Sequence, residues 1–434
     1  MAVGGRVRAD HLNTYGYERN TSPQIASFAA RGVVFENAFS QAPWTLPSID
    51  SVFTGAHPAR HGVVHQGLAL APDSSTVSGI MQAEGYYTVA FHDGGYLNSA
   101  QGFHHHFDRY ERINGMRSLE TVVRWLDEHR DLPFFMFLHT YDVHAPYGSV
   151  PKEYRERFAR EGVTSQFDLA LKKPVDHWHD QEMPRFEPND YERMRDLYDG
   201  EIRFVDDQLG RLFSALDDLD LEDRTHVILV SDHGEEFGEH GKFEHHNGNL
   251  YRELSNVPLI WVGPGVAGGR SVKEVVQTID ILPTVLDRLG IDPLAAGDID
   301  GRSLGPLLDE SGPSPKREGL AAFSETHERG RARSVRSAAR RRAGGIRPRR
   351  ADPRGPPGAG LHQVNRACDG SLSAQGPHGT TSSRCRGRRP PSFGADRRPE
   401  RAGPLTELSD RHVFPPPAHG SGPTMPPGRG RPSR

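Results

Sequence analysis

Cysteine is nearly absent from this chain. Only Cys368 and Cys385 occur in 434 residues, both in the last quarter. The first 330 residues therefore hold no disulfide and no thiol chemistry. No run approaches the ~20 apolar residues of a membrane span. Residues 1–6 (MAVGGR) lack the apolar core of a signal peptide, and location stays open. A net charge of -4 gives no global field that would favour nucleic acid. Lysine stops at Lys316, and from about Ser337 the chain is crowded with Arg, Pro, Gly and Ser without apolar periodicity. A disordered basic arm has this composition. So does a GC-rich gene read out of frame, which the absence of lysine favours. Residues 331–434 are expected to be an unstructured tail and not native coding sequence.

What is present in residues 1–330 is an alternation of helix and strand signals. Helices are expected over 22–31, 47–54, 76–84, 119–129, 190–219 and 279–289, several opened by a serine, threonine or proline and closed by a glycine. Strands are expected over 33–39, 86–91, 133–139, 225–230 and 258–262. This order predicts an α/β domain with a mainly parallel sheet flanked by helices. Residues 148–188 form a polar, proline-containing insertion that reads as a lid, an active-site wall or a surface excursion.

Ser231-Asp232-His233-Gly234 follows the β-branched run 225–230 (THVILV). A carboxylate and an imidazole thus stand side by side at the C-terminal end of a core strand, the edge where open α/β sheets bind ligands. An oxygen and a nitrogen donor together suit Mn, Zn or Fe better than Ca. The second motif is Trp44-Thr45-Leu46-Pro47-Ser48. Thr45 sits at a helix N-terminus, where free N–H groups favour an anion. Alone it reads equally as a helix cap or as a nucleophile. Beside an Asp-His pair, the nucleophile is preferred. The run His104-His105-His106 reads as a solvated loop, because adjacent histidines point different ways.

Arg8-Ala9-Asp10-His11-Leu12, the Trp-Thr-Leu-Pro-Ser block with Thr54-Gly55 and His61-Gly62, Phe137-Leu138-His139 with Asp142-Val143-His144-Ala145-Pro146-Tyr147, the Ser-Asp-His-Gly segment and Asp300-Gly301-Arg302-Ser303-Leu304 follow one another in order. From about residue 8 to 336 this order resembles the sulfatase family of the alkaline-phosphatase superfamily. The resemblance implies a sulfatase-like α/β fold, one divalent metal ion (Mn, Zn or Ca, with Mn or Zn favoured by the Asp-His pair) and hydrolysis of sulfuric or phosphoric esters. Asp232, His233 and Thr45 take the metal positions. Thr45 takes the nucleophile position, with His144 and His246 as further catalytic residues and His139 and Lys242 as substrate-binding ones. The implied substrate is a small-molecule or glycan sulfate or phosphate ester. Formylglycine sulfatases carry Cys or Ser where this chain has Thr45, and oxidation of threonine would give a ketone instead of an aldehyde. A phosphodiesterase or phospho-group transferase of the same superfamily is therefore the alternative.

Two departures from the resembled pattern matter. The family has a buried strand ending in a metal-binding Asp where this chain has Gly5. That strand is expected to be missing, leaving its neighbours unpaired, and Asp10 is expected to be structural. At the other end, residues 323–336 look like the start of a small C-terminal sheet subdomain that stays incomplete. Together these leave open a catalytically silent product of a truncated or shifted reading frame.

Overall fold

The structure, a computed structural model, describes residues 1–145, 147–160, 186–241, 245, 249–309, 322–328 and 331–337. Nine strands form one sheet: β1 (Ala2–Gly4), β2 (Val33–Phe39), β3 (Tyr87–His92), β4 (Arg109–Arg112), β5 (Phe134–Thr140), β6 (Val227–Ser231), β7 (Asn256–Val257), β8 (Leu259–Val262) and β9 (Arg270–Gln277). Their order is β4-β3-β5-β1-β6-β8-β2-β7, with β9 paired on β2. The run β4-β3-β5-β1-β6 is parallel throughout, and β9 is parallel to β2. β8 lies antiparallel to β6 and β2, and β7 antiparallel to β2. The expected mainly parallel sheet is what forms.

Helices cover both faces, as parallel sheets require. They are α1 (Pro23–Ala29), α2 (Thr45–Thr54), α3 (Val77–Ala83), α4 (Leu119–His129), α5 (Pro188–Asp218) and α6 (Ile281–Leu289). On α4 the buried residues Leu119, Val122, Trp125 and Leu126 recur at helical spacing and make one stripe. α5 starts with Pro188 at its first position and a capping box between Glu187 and Asp190. α1, α4 and α5 build one apolar core, while α2, α3 and α6 build the other across the sheet. No described helix is long and apolar enough to cross a membrane.

One expectation is corrected. The first strand is not missing: Ala2–Gly4 fills the central slot, pairing with Leu138–Thr140 on one side and Leu229–Ser231 on the other. Three residues suffice to close the ladder at the end where the site lies. Farther down, the space bordered by Met1, Met136, Val227 and Ile228 is a largely apolar cavity of about 470 Å³. Strands β10 (Ala322–Glu328) and β11 (Arg331–Ser337) pair antiparallel on either side of residue 330, the boundary expected from the sequence. Residues 338–434 lie outside the described residues, and so does most of the 148–188 insertion.

Candidate active site

Because β1, β5 and β6 are parallel neighbours, the segments after Gly4, Thr140 and Ser231 leave the sheet at one edge. Short-range bonds lock them together. Ser231 Oγ accepts from the N–H of Val7 at 2.8 Å and reaches the carbonyls of Gly4 and His233 at 2.7 and 2.8 Å. Ser48 Oγ on α2 donates to the Asp232 carbonyl at 2.6 Å, fixing that helix to the strand end. Gly234 is required where it stands, because a Cβ there would lie 1.9 Å from the Glu253 carbonyl oxygen. Ser231 and Gly234 of the Ser-Asp-His-Gly motif therefore each have a mechanical reason.

Thr45 is the first residue of α2, not its cap. Trp44 holds the cap position and Thr45 Oγ1 makes no capping bond. Its hydroxyl is buried and lies 3.4 Å from His233 Nε2. The same nitrogen is 3.6 Å from Asp232 Oδ2. Asp232 Oδ1 accepts from the N–H groups of Arg6 (3.0 Å) and His233 (2.8 Å), while Oδ2 makes no hydrogen bond among the described residues. Burial pushes Asp232 up, but the neighbouring His233 and His139 imidazoles and the Arg6 N–H bring it below its ordinary value. It stays a carboxylate. His233 Nδ1 donates to the Gly234 carbonyl at 2.8 Å. The lone pair of Nε2 is thereby turned to Thr45 and Asp232, the arrangement a metal-binding histidine needs.

Further histidines surround this pair. His139 is fully buried with both ring nitrogens unpartnered among the described residues. His144 Nδ1 donates to the Ala145 carbonyl, which leaves Nε2 as the position that gains or loses a proton. Burial and the charge of Arg6 push its pKa well down. Asp142, by contrast, is structural: it accepts from the Met116 N–H and Thr140 Oγ1, both at 2.5 Å. Lys242 and His246 lie outside the described residues. Their neighbour His245 is in the site, its ring 4.7 Å from that of His233 and 6.0 Å from that of His144. Asp10 pairs with Arg8 at 2.7 Å. The 104–106 histidines form part of a short 3-10 turn, half-buried and exposed.

Sequence reasoning missed Arg6. Its side chain is 3% exposed and bonds through Nη1 to Glu235 Oε2 and through Nη2 to His245 Nε2, each at 3.0 Å. A guanidinium only donates, so His245 Nε2 is the acceptor and its proton sits on Nδ1. Tyr147 also donates to Glu235 Oε2, at 3.2 Å. The backbone of Arg6 has φ 64°, a left-handed conformation. For a residue with a Cβ this costs on the order of 1–3 kcal/mol. The positive φ and the buried ion pair with Glu235, not the residue type, distinguish that position.

The chain matches the sulfatase family model over residues 3–291. It belongs to the sulfatase family. An ulvan-active sulfatase of Formosa agariphila is 27% identical over 335 residues, covering 69% of this chain and 62% of that protein. Arylsulfatase K of Gallus gallus is 28% identical over 339 residues, covering 66% and 62%. Human iduronate 2-sulfatase is 26% identical, covering 64% and 66%. The chain thus spans about 62% of the length of the first two of these curated relatives. Among solved structures, a phosphonate monoester hydrolase of Agrobacterium radiobacter superposes with a TM-score of 0.59 at 21% identity, covering 75% of this chain and 79% of that one. That likeness establishes the α/β sulfatase-like fold.

Sulfatases generally use a divalent metal ion, so the fit of the donors matters. Two ligands ~2.0–2.2 Å from one tetrahedral ion lie about 3.3–3.6 Å apart. The 3.4 and 3.6 Å separations of Thr45 Oγ1, His233 Nε2 and Asp232 Oδ2 suit that spacing. The unpartnered Oδ2 is a vacant donor. Yet among the described residues no three His, Cys, Asp or Glu side chains are grouped to hold an ion. The donors fit an ion with two firm anchors and a hydroxyl, one carboxylate short.

The buried histidines set a pH limit. Burial holds the His139 imidazole neutral down to about 4, against the ordinary 6.5. The unfolded chain takes up that proton first. Stability is therefore complete above pH 6.5 and declines as the pH falls towards 4, by about 3 kcal/mol from this side chain alone. Urea titrations of the wild type from pH 7 to 4.5 should show the decline, and His139→Gln should flatten it. Equal slopes in the two proteins would refute the assignment.

Proposed function

We propose that this sulfatase-family chain hydrolyses sulfuric or phosphoric esters with Thr45 as nucleophile. The observation that carries this is the approach of the Thr45 hydroxyl to His233 Nε2, with the Asp232 carboxylate on the same nitrogen. Asp232, His233 and Thr45 would hold the divalent ion, for which Mn or Zn suits the mixed donor set. When bound, such an ion polarises an ester oxygen and lowers the pKa of a coordinated hydroxyl.

The chain's own groups supply the rest. The first turn of α2 presents backbone N–H groups beside Thr45, where they favour the anionic group of the ester. Thr45 Oγ attacks the sulfur or phosphorus, the bond to the alcohol oxygen breaks, and the sulfo or phospho group is left on threonine. Neutral His144 takes the Thr45 proton on Nε2 and passes it to the departing alcohol; it then takes a proton from the water that releases the group and returns it to Thr45 Oγ. His139, buried with both ring nitrogens unpartnered among the described residues, is the further candidate for binding the substrate.

Threonine at position 45 favours one branch of this chemistry. It has no route to the aldehyde that formylglycine sulfatases use, so phosphodiester or phosphonate-ester cleavage is the second reading. Parallel assays of an aryl sulfate and an aryl phosphodiester, each with added Mn or Zn, separate the two. Turnover of neither by the wild type would refute both.

Gly5 offers a gain-of-function check. A Cβ placed there meets the Thr140 carbonyl oxygen at 3.2 Å, Tyr141 Cδ1 at 3.4 Å and His139 Nε2 at 3.7 Å, on the side of the site that lacks a ligand. Gly5→Asp should tighten Mn binding on the order of 10–100-fold, the size of effect seen for groups that support a metal. Calorimetric titration with Mn measures it, and unchanged affinity in a folded variant would refute the ligand arrangement.

A further inference from the structure

We propose that Arg6 is a substrate-binding residue whose guanidinium holds the non-bridging oxygens of the ester's tetrahedral anion. This rests on the reading that the anion lies beside Thr45, and it assigns the fixed positive charge facing that anion to the protein. Every part of Arg6 is held. Its N–H donates to Asp232 Oδ1 (3.0 Å), its carbonyl accepts from Tyr198 Oη (2.7 Å), and its side chain is clamped by Glu235 and His245. A left-handed backbone is maintained to put it there. Contacts run from the guanidinium to His245, from that ring to His233 at 4.7 Å, and from His233 Nε2 to the Thr45 hydroxyl at 3.4 Å. The guanidinium is thereby linked to the nucleophile through two imidazoles.

Its donors are not used up. Nε is buried and has no acceptor among the described residues, and the planar fork matches an oxyanion better than any other side chain does. Charge points the same way. Asp232 and Glu235 together carry two negative charges, enough to neutralise a divalent ion completely. With those two carboxylates alone, nothing positive would remain for the substrate. Arg6 restores one net positive charge.

The test uses the full chain loaded with Mn and titrated calorimetrically with inorganic phosphate. Arg6→Gly suits the left-handed backbone and removes only the side chain. It should weaken phosphate binding by at least about tenfold, as losing a charged hydrogen bond does, with unchanged Mn content. It should also raise KM for the aryl ester more than it lowers kcat. Arg6→Lys keeps the charge without the fork and should fall between. Should Arg6→Gly not fold, the double variant with Glu235→Gln removes the buried charge that the guanidinium had balanced and decides the matter. Phosphate binding by the decisive variant within about twofold of wild type would overturn the proposal, as would no phosphate binding by the wild type. If the wild type binds phosphate through Arg6 but cleaves no ester, only the reaction falls.

Discussion

Thr45→Ala is expected to lower kcat/KM for the preferred aryl ester by on the order of 10⁴-fold or more, the usual effect of removing a nucleophile. The fold should survive, because the hydroxyl caps no helix and anchors no strand; Ser48 does the anchoring. Thr45→Ser keeps the attacking oxygen and loses one methyl group in a buried place, so activity within about 100-fold of wild type should remain. Thermal unfolding run beside the kinetics separates chemistry from stability. Alanine and serine variants that are equally impaired would mean that the position matters for packing alone.

The second large effect is expected at Asp232. Its two oxygens have different work: Oδ1 accepts two backbone N–H groups, and Oδ2 is left as a donor beside His233 and Thr45. Asp232→Asn can keep an oxygen on those N–H groups but removes the charge. Metal affinity should drop by at least about 100-fold, the upper end of what supporting groups contribute, and turnover at limiting Mn should fall with it. Chelation of the wild type should reproduce that loss, and re-addition of Mn or Zn should reverse it. Full activity in chelator, with no metal detected in the protein, would remove the ion from the reaction.

Much of this site was legible in the sequence, for a physical reason. Thr45 and the Asp232-His233 pair are each fixed by a local element, a helix start and a strand end, so periodicity alone puts them at the sheet edge. The residues that were not legible depend on long-range geometry. Arg6 reads as one more basic residue until its φ of 64° turns it to Glu235 and His245. His245 carries no signal of its own in the sequence, and only the fold brings its ring beside that of His233. β4 and β9 escaped because edge strands bury little: on β9 only Val272 and Val276 are buried, and the remaining residues are polar, charged or half-exposed. β1 escaped because three residues with a glycine carry no strand pattern, yet the gap between β5 and β6 supplies their partners.

The Thr45 oxygen can be tested by catching it in the act. The chain is mixed with Mn and excess substrate, quenched in acid within the first turnovers, digested and analysed by mass spectrometry. The peptide containing Thr45 should carry one sulfo or phospho group, and chasing with excess unlabelled water should clear it. Turnover without any adduct, or an adduct on a different side chain, would contradict threonine as the attacking group.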